Sequence, residues 1–406
     1  MSKKRGKKIR VDFSRNRSRP RRADDWTRRY HADTHNLADA QAGESVRAKG
    51  DLSRKRTIIV DESEAPLVDE SLWRRGVVTT IHGAYCYVDD EAGRAWECTV
   101  RRVLKTMLIE QRSSVAVGDR VWYSVVEDAP ADRPTGVIER VEPRRTVLAR
   151  GARTGHDARR EGHLRQHLIA ANVDQLVIVT SAAQPAFKPH LVDRYLVAAG
   201  KGNLRPVICI NKWDLVGDAW TDGDRAADFE PEDGGGESLL ELIDEFQSLG
   251  YRVIMTSATR GDGLDALRAE LVDRVTVFSG QSGVGKSSLL NAIEPGLGLA
   301  VGEISDDNEK GRHTTTHARL LRLALGGYAV DTPGIRSFDF WNVEPGELES
   351  YFVEIGARIR DCRFNDCHHV DEEGCAVTAA VEAGEISARR YASYVKMIDE
   401  VRRKSP

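Results

Sequence analysis

Gly280, Gln281, Ser282, Gly283, Val284, Gly285, Lys286 and Ser287 fit the pattern G-x-x-x-x-G-K-[ST], with Ser288 following. The run comes directly after the apolar stretch from Val275 to Phe278 and opens a helical pattern, which is the context such a loop requires. Its glycines let backbone N–H groups close around phosphates, and the helix N-terminus adds partial positive charge. Lys286 is expected to reach the β- and γ-oxygens, and Ser287 to ligate Mg²⁺. On its own the motif leaves the base undecided between adenine and guanine.

A second set of residues decides it. Asp214, in Asn211-Lys212-Trp213-Asp214, follows the apolar run from Pro206 to Ile210 and can accept hydrogen bonds from guanine N1–H and the 2-amino group. Adenine offers neither donor, and a carboxylate left unpaired rejects it. Asn211 is expected to brace the loops and the stem of Lys212 to cover the base. In Ser257-Ala258-Thr259 the N–H of Ala258 is expected to donate to guanine O6.

Asp331-Thr332-Pro333-Gly334 also follows a strand-like run, with Asp331 expected to hold Mg²⁺ through water and the Gly334 N–H to sense a γ-phosphate. Thr315, with Thr314 beside it after the polar segment from Ser305 to Arg312, is the expected switch threonine that ligates Mg²⁺ in the triphosphate state. The residue after Gly334 is Ile335, where many such enzymes carry a glutamine that orients the attacking water. An aliphatic side chain cannot do this, so slow intrinsic hydrolysis is expected. His313 either positions that water or only packs or contacts a partner. The base-binding boxes precede the phosphate-binding boxes, an order that describes a circularly permuted GTPase domain.

These loops need a parallel sheet. From residue 151 the chain alternates apolar runs (175–180, 206–210, 251–256, 275–278, 328–330) with helical patterns near 190–200, 238–249, 263–272 and 286–293. That alternation predicts a buried parallel sheet with helices on both faces. Asp222 to Glu237 reads as a surface loop.

Downstream of Glu344 helical patterns dominate. Cys362, Cys367 and Cys375 fall within fourteen residues, with His368 and His369 between them. In a chain without a secretory signal, three thiolates and an imidazole suggest one closed, structural Zn²⁺ site; packed thiols are the alternative. Arg389, Arg390, Lys396, Arg402, Arg403 and Lys404 read either as an RNA contact or as a solvated face.

The N-terminal side is different in kind. Residues 1–30 carry 13 Lys or Arg against 3 Asp, so a net charge of −3 conceals a basic arm. Its few apolar residues predict an extension over 1–70 that is disordered when free, either an RNA-wrapping arm or a solubilising tail. Five β-rich runs between 76 and 141 predict a small barrel, best matched by an OB-fold within 71–150. Tyr85, Tyr87, Trp96 and Tyr123 either stack on bases from an exposed sheet or fill the barrel, and Arg101, Arg102 and Lys105 are available for phosphates. No run is long enough to span a bilayer.

The motif order, the loop 280–288, the switch Gly311-Arg312-His313-Thr314-Thr315-Thr316 and the segment 193–199 together resemble the RsgA (YjeQ) family of circularly permuted ribosome-assembly GTPases. The resemblance covers roughly residues 75–400. It implies an OB domain (71–150), a permuted P-loop GTPase (151–343) and a C-terminal helical zinc-binding domain (344–406), with His369 rather than His368 as the fourth ligand beside Cys362, Cys367 and Cys375. It further implies a cytoplasmic protein, expected to be monomeric, that binds GTP and GDP with Mg²⁺ and engages the 30S subunit and its 16S rRNA late in maturation. Hydrolysis is then stimulated by the subunit. Two other functions remain open at this point: a GTP-binding RNA chaperone with little turnover, and a permuted GTPase acting on 50S particles. The long stretch before residue 70 has no counterpart in that resemblance.

Overall fold

Alternation of apolar and polar residues between 73 and 141 produces a closed barrel. The computed structural model describes residues 7–12, 55–60, 71–102, 104, 115–126, 134–150, 167–216, 238–299, 318–331 and 343–404. These divide into two units, Met1–Pro143 and Arg144–Pro406.

In the first unit, β1 (Lys7–Asp12) pairs antiparallel with β2 (Lys55–Val60). The expectation of an extension without regular structure is therefore corrected at these two places: the runs Ile9-Arg10-Val11 and Thr57-Ile58-Ile59 carry enough β-branched residues to form a ladder. The barrel follows as β3 (Trp73–His82), β4 (Tyr85–Asp90), β5 (Ala95–Val100), β6 (Arg120–Val125) and β7 (Thr135–Val141), in the order β3-β4-β5-β7-β6. It closes through an antiparallel β3–β6 pairing, and β5–β7 is its one parallel ladder. That connectivity is the OB-fold.

Val78, Cys86, Val88, Trp96, Cys98, Val121, Tyr123 and Ile138 fill the interior. Gly136 is required there: a Cβ at this position would lie 2.9 Å from the Ser124 carbonyl oxygen and 3.0 Å from Cys98 Sγ. Two of the four aromatics considered for base stacking are thereby reassigned. Trp96 and Tyr123 are buried and pack on each other at 5.5 Å, whereas Tyr85 and Tyr87 lie on the opposite pleat, half-buried. Arg101 and Arg102 are exposed, and Arg101 bridges the buried Glu139 at 2.8 Å. Lys105 lies outside the described residues.

The second unit begins earlier than residue 151, because β8 (Val147–Arg150) pairs with β9 (His167–Ala171) inside it. Its main sheet contains β10 (Gln175–Ser181), β11 (Arg205–Asn211), β12 (Arg252–Met255), β13 (Val275–Ser279), β14 (Arg319–Arg322) and β15 (Tyr328–Asp331). The order is β12-β11-β10-β13-β15-β14, parallel except for β14. Consecutive residues Leu176, Val177, Ile178 and Val179 are all buried, so helices cover both faces. α1 (Pro189–Lys201) and α2 (Leu239–Ser248) are followed by α3 (Leu264–Leu271) and α4 (Lys286–Ile293), close to the expected positions. α2 starts with a capping box, in which Ser238 Oγ accepts from the Glu241 N–H and Glu241 accepts from the Ser238 N–H. Val177, Val207 and Cys209 pack with α3 and α4 on one face. Among the described residues no helix is long and apolar enough to cross a membrane.

The helical C-terminal part comprises α5 (Pro345–Leu348), α6 (Val353–Gly356), α7 (Ala376–Glu382) and α8 (Ala388–Lys404), packed around Leu348, Phe352, Ile355, Tyr394, Met397 and Ile398. Arg389 and Arg390, at the start of α8, belong neither to a solvated face nor to an exposed RNA contact. Arg390 is 1% exposed and bonds Asp193 on α1 at 2.6 Å and Glu354 on α6 at 2.6 and 3.1 Å. Arg389 reaches Asp193 at 2.8 Å and also Glu245 on α2. Burial opposes the Arg390 charge, but Asp193 and Glu354 hold it protonated. Arg390→Ala would leave Asp193 buried with one partner fewer, so it should destabilise the unit by about 3–5 kcal/mol. A lowered denaturation midpoint in urea checks this, and an unchanged midpoint would refute it.

Candidate nucleotide site and metal centre

The loop after β13 can close only because it is glycine-rich. At Gly280 a Cβ would stand 1.9 Å from the Val179 carbonyl oxygen on neighbouring β10. Gly285 has φ +90°, and a Cβ there would lie 2.5 Å from Asn211 Nδ2. Any larger residue would close the turn wrongly or push the asparagine away. α4 then opens at Lys286, which places Ser287 and Ser288 in its first turn. The Lys286 ammonium donates to the carbonyl oxygens of Gly280 and Gln281, both at 2.8 Å, and burial lowers its pKa below the ordinary lysine value.

β11 delivers the other box. Lys212 takes a left-handed backbone (φ 59°) that turns the chain into the short 3-10 segment Trp213–Leu215. Its ammonium donates to the Gln184 carbonyl oxygen. Asp214 Oδ1 accepts from Ser257 Oγ at 2.5 Å, and that hydroxyl oxygen accepts from the Arg260 N–H at 3.0 Å. Hydrogen bonding from Ser257 lowers the Asp214 pKa, against a smaller opposing effect of desolvation. The carboxylate is thus ionised and oriented.

Asn211 links the two halves. Its buried amide donates through Nδ2 to the Val284 carbonyl oxygen at 2.8 Å, inside the phosphate loop. Its Oδ1 accepts from the Ala258 N–H at 3.2 Å and from Thr256 Oγ1 at 3.4 Å. Boxes separated by about seventy residues are therefore in contact, at the carboxyl ends of the parallel strands β11 and β13 that flank β10, where ligands bind in open α/β sheets. One detail differs from expectation: the Ala258 N–H, assigned to guanine O6, is here engaged by Asn211. Asp331 ends β15, whose Val330 pairs with Val277 of β13, so its backbone lies beside the phosphate-loop strand. His313, Thr314, Thr315, Gly334 and Ile335 lie outside the described residues.

The metal-ligating residues expected from spacing come together. Candidate ligand atoms of Cys362, Cys367, His369 and Cys375 all lie within 4.8 Å of one another, and all but Cys362 are buried. His369 Nδ1 stands 3.5 Å from both Cys362 Sγ and Cys375 Sγ, which are 4.0 Å apart. The backbone of His369 is left-handed (φ 61°). Cys375 caps α7; burial works against its ionisation, but hydrogen bonds from Thr378, His369 and Val377 together outweigh it and lower its pKa. Sequence reasoning missed Glu349, whose Oε2 is 2.9 Å from His369 Nε2. Twenty positions upstream and outside any motif, it gave no signal beyond the general need of a ligating imidazole for an acceptor.

Residues 141–341 match the family model for the RsgA GTPase. A protein of Thermotoga petrophila, "Small ribosomal subunit biogenesis GTPase RsgA", is 39% identical over 332 residues, 82% of this chain and 98% of its own length. A Vibrio vulnificus protein, "Small ribosomal subunit biogenesis GTPase RsgA 1", is 36% identical across 86% of this chain and 89% of its own. Among solved structures, YjeQ from Thermotoga maritima aligns with a TM-score of 0.60 at 36% identity, covering 81% of this chain and 99% of that one. YloQ, described as a circularly permuted GTPase, also gives 0.60, at 31% identity, with 82% and 96% covered. The permuted strand order, the linked nucleotide boxes and this coverage agree: the chain belongs to the RsgA family of circularly permuted GTPases.

Proposed function

We propose that this chain binds the 30S ribosomal subunit and hydrolyses GTP to time a late step of small-subunit maturation, with hydrolysis stimulated by the subunit. The observation that carries the catalytic part is the Asn211 bridge, since it brings the Asp214 box and the Lys286 loop into one pocket. The names of the relatives support the ribosomal part.

In this reading Asp214 selects guanine, Lys212 covers its face, and Ser257 holds the carboxylate in its acceptor geometry. Backbone N–H groups from Gly280 to Ser288 surround the phosphates. Lys286 exchanges its two loop carbonyls for β- and γ-oxygens. Ser287, Thr315 and Asp331 would hold a Mg²⁺ ion that neutralises charge on those oxygens. Gly334 senses the γ-phosphate, and with Ile335 unable to orient water, His313 or a group on the subunit does so.

Three thiolates and one imidazole, mostly buried and within tetrahedral reach, suit Zn²⁺ with no position left for water, so the site is structural. Cys367→Ser should yield protein whose zinc content, measured by atomic emission, falls well below one per chain; full occupancy would remove Cys367 from the shell.

GTP turnover measured alone, with 30S and with 50S subunits tests the whole reading. Acceleration by 30S, together with tighter 30S co-sedimentation in the GTP state, is the expected result. Equal rates in all three would leave a nucleotide-dependent RNA chaperone, and acceleration by 50S alone would move the partner to the large subunit. We further assign the protein to the cytoplasm as a monomer contacting 16S rRNA.

A further inference from the structure

We infer that Glu349 is the positioning residue of the metal centre, fixing the imidazole of His369 for ligation and anchoring the metal loop to the segment that docks on α1. The inference rests on the zinc reading above. His369 is 1% exposed, and its two ring nitrogens face opposite ways. Nδ1 points at Cys362 and Cys375, while Nε2 lies 2.9 Å from Glu349 Oε2.

A ligating nitrogen must present a lone pair, so with Nδ1 on the metal the proton resides on Nε2. The Glu349 carboxylate accepts it. This bond selects the tautomer, holds the ring plane and makes the imidazole a stronger donor. The backbone of the loop is clamped separately, since Tyr391 Oη donates to the His369 carbonyl oxygen at 2.8 Å and Tyr394 Oη to that of His368 at 3.0 Å. Of these contacts, the Glu349 bond is the one that sets the ring.

Glu349 also sits in a segment held against the nucleotide-binding sheet's covering helix. Glu347 accepts from Lys201, the last residue of α1, at 2.5 Å. Tyr351 packs so closely on Gly200 that a Cβ there would lie 2.6 Å from its ring. The His369–Glu349 bond thereby ties the metal loop to the segment that meets the carboxyl end of α1.

The test follows zinc release from purified full-length protein into a colorimetric chelator, for wild type, Glu349→Ala, Glu349→Gln and Lys201→Ala. Cobalt-substituted samples report ligand geometry through their visible spectrum. Glu349→Ala should lose zinc roughly 10- to 100-fold faster with an altered cobalt spectrum. Glu349→Gln, which keeps a neutral acceptor, should fall between it and wild type. Lys201→Ala loosens the same segment without touching the imidazole, so its release rate should match wild type.

Wild-type release from Glu349→Ala would overturn the inference, as would an equal acceleration in Lys201→Ala. If Glu349→Ala does not fold, Glu349→Gln decides: faster release supports the assignment and an unchanged rate sinks it. Wild-type protein purified without any zinc would instead defeat the metal reading itself.

Discussion

Lys286→Ala should reduce GTP turnover by about 10²–10³-fold or more, the loss expected when a preorganised charge-bearing donor is removed from a transition state. The lysine is held by the loop itself. Its two bonds, to the Gly280 and Gln281 carbonyl oxygens, hold the ammonium across the mouth of the loop that would take the phosphates. Burial has lowered its pKa, so the site gains from a negative ligand that restores full stabilisation of the charge. The sign is definite: a β,γ-phosphate should raise this pKa, and a phosphate-free nucleoside should not. Alanine removes the charge that would balance the phosphate oxygens. Single-turnover measurement with 30S present and saturating GTP separates lost chemistry from lost binding. Undiminished turnover would refute the phosphate-loop assignment.

Both boxes of that site were legible in the sequence because each lies at the end of a short apolar run, and in a parallel sheet strand ends share one edge. The permuted order followed from the same residues, and the sheet order with β13 between β10 and β15 explains why it does no harm. Position in the sheet, with β11 and β13 on either side of β10, and not chain order, brings Asn211 to Val284.

What stayed hidden was pairing across distance. Arg389 and Arg390 look like a solvated basic pair until Asp193, nearly two hundred positions earlier, is found beneath them. Glu349 is one acid among many until His369 turns its Nε2 toward it. The barrel aromatics were ambiguous for a different reason. Tyr85-Cys86-Tyr87-Val88 alternates cleanly, and the tyrosines face away from the core, but Val121-Trp122-Tyr123 is buried throughout and gives no alternation to follow. β8, β9 and β14, four or five residues long, do not read as strands in the sequence.

Asp214→Asn should change which base the pocket prefers. The wild-type carboxylate, half-exposed and fixed by Ser257 at 2.5 Å, presents acceptors only. Guanine meets them with N1–H and the 2-amino group. Asparagine keeps one acceptor and substitutes an amide donor, which faces the 2-amino donor of guanine with nothing between them. Losing one charge-assisted bond and opposing a second should weaken GTP by roughly 10²–10⁴-fold. Xanthine carries an oxygen at position 2, which the new amide can satisfy, so XTP should gain as GTP loses. ATP lacks N1–H altogether and should change least, so the GTP-to-ATP ratio collapses. Because hydrogen bonding lowers the Asp214 pKa, the wild-type carboxylate stays ionised as pH falls, and its guanine preference should show no acid limb between neutral pH and about pH 5. Competition binding with the three triphosphates across that range measures both effects. An unchanged GTP-to-ATP ratio in the variant would take Asp214 out of base recognition, and a preference that fades in mild acid would show that the Ser257 hydroxyl does not hold the carboxylate charged.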